Sequence, residues 1–510
     1  MGMLKSISLE NYKCFKDETT IDIAPLTVLC GANSSGKSSI LKSLLTLKQS
    51  VQSNNSEDYL TLNGELADIG NFNDIMSRCS SNNISDTFEG LQLEDIKSKV
   101  ISFENTFRIN NYRNKNIGKY IPYQDAASYK ELRRLYNKEH SPINSFEITL
   151  KLNISLPDDV ADDSFSKFIY SNHLVKYKIN IKLFDINNCE ITRRSGVIEY
   201  ENNILHYENI PTNNSISEKG HLKCKCSFSS LKINNIYSNF FEDYKSVLYN
   251  IMAISKIASN QFLGINYIAP LRNNPERDYF IKGNSNTVGI YGEFTPTIIA
   301  KNVNEDISTE TFPPIFEDCF LKHDMESINF FHLLLQWTDY FNFGSLTLNG
   351  TNGHIDLKIG EQNIVDVGFG VSQVLPIIVQ GLIMDKEQSL LLEQPEIHLH
   401  PKLQMRIADF FIAMAQSGRS LIIETHSDHI INRIVRRILE DNTNTINDLV
   451  HIYYLEKENK FEQTKITPIK IDSCRGIIDW PDGFFDQFPN EQEKIIRAGI
   501  EKRRYLREKI

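Results

Sequence analysis

The sequence predicts an α/β protein: a phosphate-loop head divided by an inserted, mainly antiparallel β plus helical block, with no long coiled coil. Three observations carry this. Residues 31–39 read GANSSGKSS, so Gly31, Gly36, Lys37 and Ser38 fit G-x-x-x-x-G-K-[ST]. Between residues 371 and 439 short apolar runs alternate with stretches of helical spacing, as in a parallel sheet covered on both faces. Residues 146–207 instead contain segments that alternate polar and apolar with period two.

In chain order, residues 1–75 form the first half of the head. Leu4–Glu10 and Thr20–Ile23 read as strands, and Pro25–Cys30 as a buried β-branched strand. The loop Gly31, Asn33, Ser34, Ser35, Gly36, Lys37, Ser38 and Ser39 follows, then a helix to about Gln52. Strand, glycine loop and helix aim a helix N-terminus and backbone N–H groups at an anion, with the lysine ammonium and serine hydroxyl completing a triphosphate and Mg²⁺ site. Met1–Ser6 fits the myristoylation pattern formally, but Leu4, Ile7 and Leu9 read better as the opening of a strand.

Residues 76–260 form the inserted block and carry no nucleotide motif. The Asn- and Lys-rich run Asn105–Lys119 reads as loop. Phe146–Leu152, Lys176–Phe184, Gly196–Tyr200 and Ile204–Tyr207 read as antiparallel strands with Asn-Asn turns between them, and Ile236–Ser259 as a helix. No heptad pattern persists over three or four repeats.

Residues 261–490 return to α/β character, with helices over Val371–Met384, Lys402–Gln416 and Asp428–Leu439 and strands over Ser389–Glu393 and Ser420–Glu424. The first strand ends in Glu393, where a carboxylate can hold hydrated Mg²⁺, followed by Gln394, Pro395 and Glu396. The second runs into Thr425-His426, where an imidazole could reach a γ-phosphate. Gly368, Gly370, Ser372 and Gln373 stand just before a helix, as in a second phosphate-contacting loop. Residues 491–510 read as a basic helix, in which Lys494, Arg497, Lys502, Arg503, Arg504, Arg507 and Lys509 interleave with glutamates.

Composition narrows the class. The 510 residues carry a formal charge of −10, which argues against a nucleic-acid binder that uses its whole surface, although a local basic groove stays open. No run approaches the ~18 apolar residues of a membrane span, and no signal-peptide core is present. The eight cysteines form no C-x-x-C pair, which fits a reduced, cytoplasmic protein, and Cys224 and Cys226 near His221 read as strand positions.

These motifs together resemble the ABC-type ATPases of the SMC/RecF/OLD group, and within it the bacterial AAA family ATPases of phage-defence islands, of Septu or retron-associated kind. The opening stretch Leu4–Lys16 is similar to that group's N-terminal signature. By this resemblance Gly31–Ser39 are Walker A, and Ser38 and Glu393 the metal-side residues. Gly368, Gly370, Ser372 and Gln373 are the signature loop acting in trans, Leu399–Pro401 the D-loop region, and His426 the switch histidine. Tyr267–Arg272 and Trp480–Phe485 also resemble stretches of one subfamily. The resemblance implies an ABC-type P-loop ATPase head, ATP and Mg²⁺ as cofactors, and a homodimer or higher oligomer in which a partner's signature loop closes over the γ-phosphate.

One position departs from that pattern: Gln394 stands where the family has its catalytic glutamate. A glutamine amide can orient water but cannot accept its proton, and loss of a general base typically costs ~10²–10⁴ in rate. Three readings follow. Glu396 replaces the base; or hydrolysis is slow and ATP holds a state; or Gln394 positions water well enough. The expected function is a sensor or switch subunit of an antiviral complex that controls a separate effector nuclease, since the stretch after His426 is too short for the Toprim nuclease of OLD proteins and holds no DxD motif. Alternatives are a RecF-like DNA repair or maintenance ATPase and an ATP-binding scaffold without turnover.

Overall fold

In the computed structural model the described residues are 3–53, 60–77, 100–110, 145–155, 173–184, 190–199, 204–211, 218–223, 225–229, 231–237, 245–280, 285–307, 328–351, 353–386, 388–457, 463–478, 481 and 487–508. Strand β1 (Met3–Glu10) pairs antiparallel with β2 (Thr19–Asp22), after which β3 (Leu26–Gly31) leaves for a different sheet. β4 (Ile101–Asn110) returns to pair with β1. β5 (Ser145–Ser155), β6 (His173–Phe184), β7 (Glu190–Glu199), β8 (Ile204–Pro211) and β9 (Glu218–Lys223) add on in sequence order. The result is an eight-stranded antiparallel sheet, β2-β1-β4-β5-β6-β7-β8-β9. The inserted block therefore continues the sheet that the N-terminal strands begin. Its neighbour-to-neighbour order is an antiparallel arrangement of the kind that period-two segments form.

β10 (Lys225–Ser229) and β11 (Lys232–Tyr237) form a separate hairpin, and the helix Lys245–Gln261 follows. Two expectations are corrected here. The Asn- and Lys-rich run does not stay loop: residues 105–110 belong to β4, where Phe103, Phe107 and Ile109 point into the core, and 111–119 lie outside the described residues. The helix expected from Ile236 begins at Lys245, because Ile236 and Tyr237 pair with β10. Cys79, Cys189, Cys224, Cys319, Trp480 and Asp482–Phe485 also lie outside the described residues.

The chain then enters the second sheet through β12 (Ile265–Ile268). Short strands follow: β13 (Tyr279–Phe280), β14 (Asp306–Ile307), β15 (Ile328–Asn329), β16 (Leu346–Thr351), β17 (His354–Ile359) and β18 (Gln362–Asn363). The head strands are β19 (Ser389–Glu393), β20 (Ser420–Glu424), β21 (Val450–Glu456) and β22 (Lys465–Ile469). Their order is β12-β19-β20-β3-β21-β22, parallel throughout except for the last pair. The phosphate-loop strand β3 thus lies between β20 and β21. β3 is joined to strands some 390 residues distant in sequence, because both of its faces are apolar and only a covered central position buries them.

Alternate side chains on these strands enter two cores. Leu29, Leu391 and Ile422 pack with helix α1 (Lys37–Gln52) and the antiparallel sheet. Val28, Leu390, Leu392, Leu421 and Ile423 pack on the other side with the helices Phe369–Ile383, Pro401–Gln416 and Asp428–Glu440. The long helix Gln487–Glu508 ends the described chain, starting four residues before the expected 491. No helix among the described residues is long and apolar enough to cross a membrane.

Candidate phosphate and acid site

The carboxyl ends of the parallel strands converge on one rim, the edge where open α/β sheets bind ligands. β3 delivers the phosphate loop there. Two of its glycines are required by contact. Gly31 has φ +139° and pairs with Leu455 on β21 so closely that a Cβ would stand 2.0 Å from the Leu455 carbonyl oxygen. Gly36 has φ +104° and caps α1, and a Cβ there would meet Cys14 Sγ at 2.4 Å. Ser34 also adopts positive φ, and Asn33 and Ser34 are exposed at the tip.

Lys37 folds back over the loop, its Nζ donating to the carbonyls of Ala32 (2.6 Å) and Gly31 (3.1 Å). Burial holds its pKa below the ordinary lysine value, and the Glu424 and Glu396 carboxylates oppose that shift. The loop is fastened from outside by Thr464, whose hydroxyl donates to Ser35 O at 2.8 Å and whose N–H donates to Cys14 O at 3.0 Å. Ser39 N–H donates to Gly36 O in the first turn of α1.

Three glutamates stand at the neighbouring strand tips. Glu393 ends β19 and accepts from Tyr267 Oη at 3.0 Å. Glu424 ends β20 in direct register with Glu393 and accepts from Ser38 Oγ at 2.9 Å. Glu396, in the turn after β19, accepts from the backbone N–H of His426 at 2.6 Å. Burial raises the pKa of all three, and at Glu424 the charges of Glu393 and Glu396 raise it further. Glu396 Oε2 and Glu424 Oε2 are buried without a hydrogen-bond partner.

Gln394 occupies a constrained backbone position between these acids. Its φ is +45°, uncommon for a residue with a side chain, and its N–H donates to Glu424 O at 2.8 Å. His426 carries a hydrogen bond to the Gly31 backbone, and burial, then Lys37, lowers its pKa. Arg272, beyond β12, donates weakly to Glu393 O (3.4 Å) and is buried with Nε and Nη1 unpartnered; burial brings its pKa down to about 10.

The structure thus brings together Gly31–Ser39, Glu393, Gln394, Glu396 and His426. It also places Glu424, Tyr267 and Arg272 among them. Ser38 and Glu393, the expected metal-side residues, are not hydrogen-bonded to each other: the Ser38 hydroxyl donates to Glu424, one strand closer. Oxygen donors of this kind suit a hard cation such as Mg²⁺, which usually takes one or two carboxylates and completes its shell with water and phosphate. Among the described residues no group of three or more His, Cys, Asp or Glu side chains is arranged to hold a metal alone.

The signature residues lie on a separate element. The helix starts at Phe369, two residues before the expected Val371, so only Gly368 precedes it as a cap, while Gly370, Ser372 and Gln373 sit within its first turns. Ser372 Oγ donates back to Phe369 O at 2.8 Å, the local bond that lets a serine occupy a helix start. Phe369 is exposed and its ring meets the edge of His398 at 5.1 Å. A cavity of about 290 Å³ beside this helix, lined in part by Tyr291, Phe294, Ile364 and Ser372, includes no phosphate-loop residue. His400 caps the helix after the acid strand, its Nδ1 accepting from Lys402 N–H with Pro401 at the first position. In the C-terminal helix, Lys494 and Arg497 pair with Glu491 and Glu493 of the same helix, as on a solvated face.

The sequence matches the AAA ATPase domain family over residues 3–431. The chain belongs to that family. It is accordingly an ATP-binding ATPase. Residues 447–495 match a second family, described as a protein of unknown function (DUF3696). No curated protein matches the sequence. Among solved structures the chain is similar to the SMC head domain from Thermotoga maritima, with 9% identity over 92% of this chain and 100% of that one, at a TM-score of 0.33. It is also similar to an Smc head bound to the C-winged helix domain of ScpA, with 11% identity, 92% and 99% coverage and a TM-score of 0.35. A Pyrococcus furiosus Smc head with an extended coiled coil gives 11% identity, 92% and 97% coverage and a TM-score of 0.37.

Proposed function

We propose that this ATPase is a nucleotide-held switch: it binds ATP with Mg²⁺, turns it over slowly, and dimerises or oligomerises through its heads while ATP is bound. The observation that carries this reading is Gln394. It occupies the strand-tip position next to Glu393 at left-handed φ, fixed by its N–H on Glu424, and in this reading its amide, which is not a base, stands where the proton acceptor is needed. Hydrolysis joins a water oxygen to the γ-phosphorus, breaks the bond to the β–γ bridging oxygen, and must pass the water's proton to an acceptor. Glu396 is the alternative acceptor: one of its oxygens takes the His426 N–H and the other is buried without a hydrogen-bond partner.

In this reading Lys37 and the loop N–H groups bind the β and γ oxygens, while Ser38 and Glu393 would hold Mg²⁺, which supplies charge neutralisation when bound. His426 reads the γ-phosphate. Gly368, Gly370, Ser372 and Gln373 of a second copy would close over it, with the Ser372 hydroxyl released from Phe369 O. Exposed Leu271, Tyr291 and Phe369 are apolar side chains that a second copy would cover.

The biological setting we propose is a cytoplasmic sensor subunit of a bacterial antiviral complex that controls a separate effector nuclease. The motif resemblance carries that part. A RecF-like role on DNA draws on exposed Lys502 and Arg503, but the glutamate pairing of Lys494 and Arg497 weakens it. The test is ATP titration with mass measurement by light scattering. Wild type is expected to bind ATP and gain mass, Lys37→Ala to lose both, and Ser372→Ala to bind ATP without gaining mass. A wild type that binds ATP and stays at one mass contradicts the switch reading.

A further inference from the structure

The geometry points to Glu424 as the carboxylate that shares Mg²⁺ with Ser38, making β20 as well as β19 a metal-side strand; this rests on the ATP reading above. Three observations carry it. Of the three glutamates, Glu424 alone accepts from the Ser38 hydroxyl, the group a phosphate loop offers to the cation. Glu424 is only 4% exposed, yet its Oε2 has no hydrogen-bond partner, a condition native proteins rarely tolerate without a ligand or function. Its register partner is Glu393, and both side chains follow the face that carries Leu391 and Ile422 toward α1.

Two carboxylates on adjacent parallel strands are held roughly 4.8 Å apart at the backbone. Like charges directly opposite each other destabilise a sheet. Lys37 and the Tyr267 hydroxyl relieve this in part, and a divalent cation at Ser38 relieves it fully. Glu424 is also two residues from His426, whose backbone is tied to Glu396. A cation held at Glu424 would therefore also steady the segment 424–426 beside the loop. If Glu424 serves only to hold Ser38, an amide in its place does the same work, since the amide oxygen accepts the same hydrogen bond.

That contrast sets the experiment. ATP affinity of the full chain is measured by calorimetric titration with Mg²⁺ and again with EDTA, for wild type, Glu424→Gln and Glu424→Asp, each checked for folding by circular dichroism. Wild type is expected to bind more tightly with Mg²⁺. Glu424→Gln should lose at least about tenfold of that enhancement while keeping or improving its affinity in EDTA. Glu424→Asp, which withdraws the carboxylate by one methylene, should lose several-fold, and it decides the matter if the glutamine variant does not fold. Folded variants that keep the full Mg²⁺ enhancement overturn the assignment. A wild type that binds ATP equally with and without Mg²⁺ also overturns it and leaves the ATP reading standing. A wild type that binds no ATP removes both.

Discussion

Lys37 and Ser38 emerge from a loop whose glycines are dictated by neighbouring backbone and sulfur. Leu455 O lies where a Gly31 side chain would begin, and Cys14 Sγ where one at Gly36 would. Gly31→Ala should therefore destabilise the fold by at least about 1–3 kcal/mol as well as abolish ATP binding; a denaturant titration with an unchanged midpoint would show that the close approach is not real. At this scale the sequence was highly legible where spacing encodes chemistry: Gly31–Ser39, Glu393, Gln394, Glu396 and His426 meet at one rim. Glu424 escaped because a lone acid at a strand end looks like surface. The signal was there in the parallel between Ser389–Glu393 and Ser420–Glu424, two apolar strands that both end in glutamate. Arg272 is not legible as a site residue, since nothing local reveals that its guanidinium is buried.

Between elements, two buried charges tie the head together. Asp409, fully buried on the helix Pro401–Gln416, accepts from Arg433 at 2.7 Å and Arg437 at 2.7 Å on the next helix, and from the Tyr340 hydroxyl. Asp409→Asn leaves the buried Arg433 guanidinium without its counter-charge and Arg437 with Glu440 but not Asp409, and should lower stability by about 3–5 kcal/mol, read as a shift in denaturant midpoint. Lys48, on the inner face of α1, donates to Ile265 O at the start of β12, and burial brings its pKa down to about 8 from the ordinary 10.5. The folded protein therefore releases this proton more readily than the unfolded chain, which holds more protons between those values. Stability of wild type should rise relative to Lys48→Met as pH climbs through that window, by on the order of 2–3 kcal/mol. A stability difference between the two proteins that is flat from pH 7 to 10.5 would contradict this. Strands and helices of the head were legible because apolar runs of four or five residues end in Gly or Glu. The expected signature loop was not a loop, because residues compatible with a cap are equally compatible with the first helical turn, and Ser372 can satisfy Phe369 O.

For the whole molecule, the antiparallel sheet joins residues that lie on both sides of position 75, since β4 pairs with β1. Sequence composition divides these blocks, but pairing depends on hydrogen bonds between distant strands that no local pattern records. The consequence is mechanical. Cys14, just beyond β1, bonds through its backbone to Thr464, which holds the phosphate loop, so the antiparallel sheet and the nucleotide site are a few bonds apart. In the proposed switch ATP is held, not spent quickly, because Gln394 lacks a base. The measurement that tests it most directly is single-turnover hydrolysis of bound ATP by wild type and Gln394→Glu under identical conditions. The account predicts a wild type that retains ATP through many minutes and a variant faster by about 10²-fold or more; equal or slower hydrolysis by the variant would contradict it.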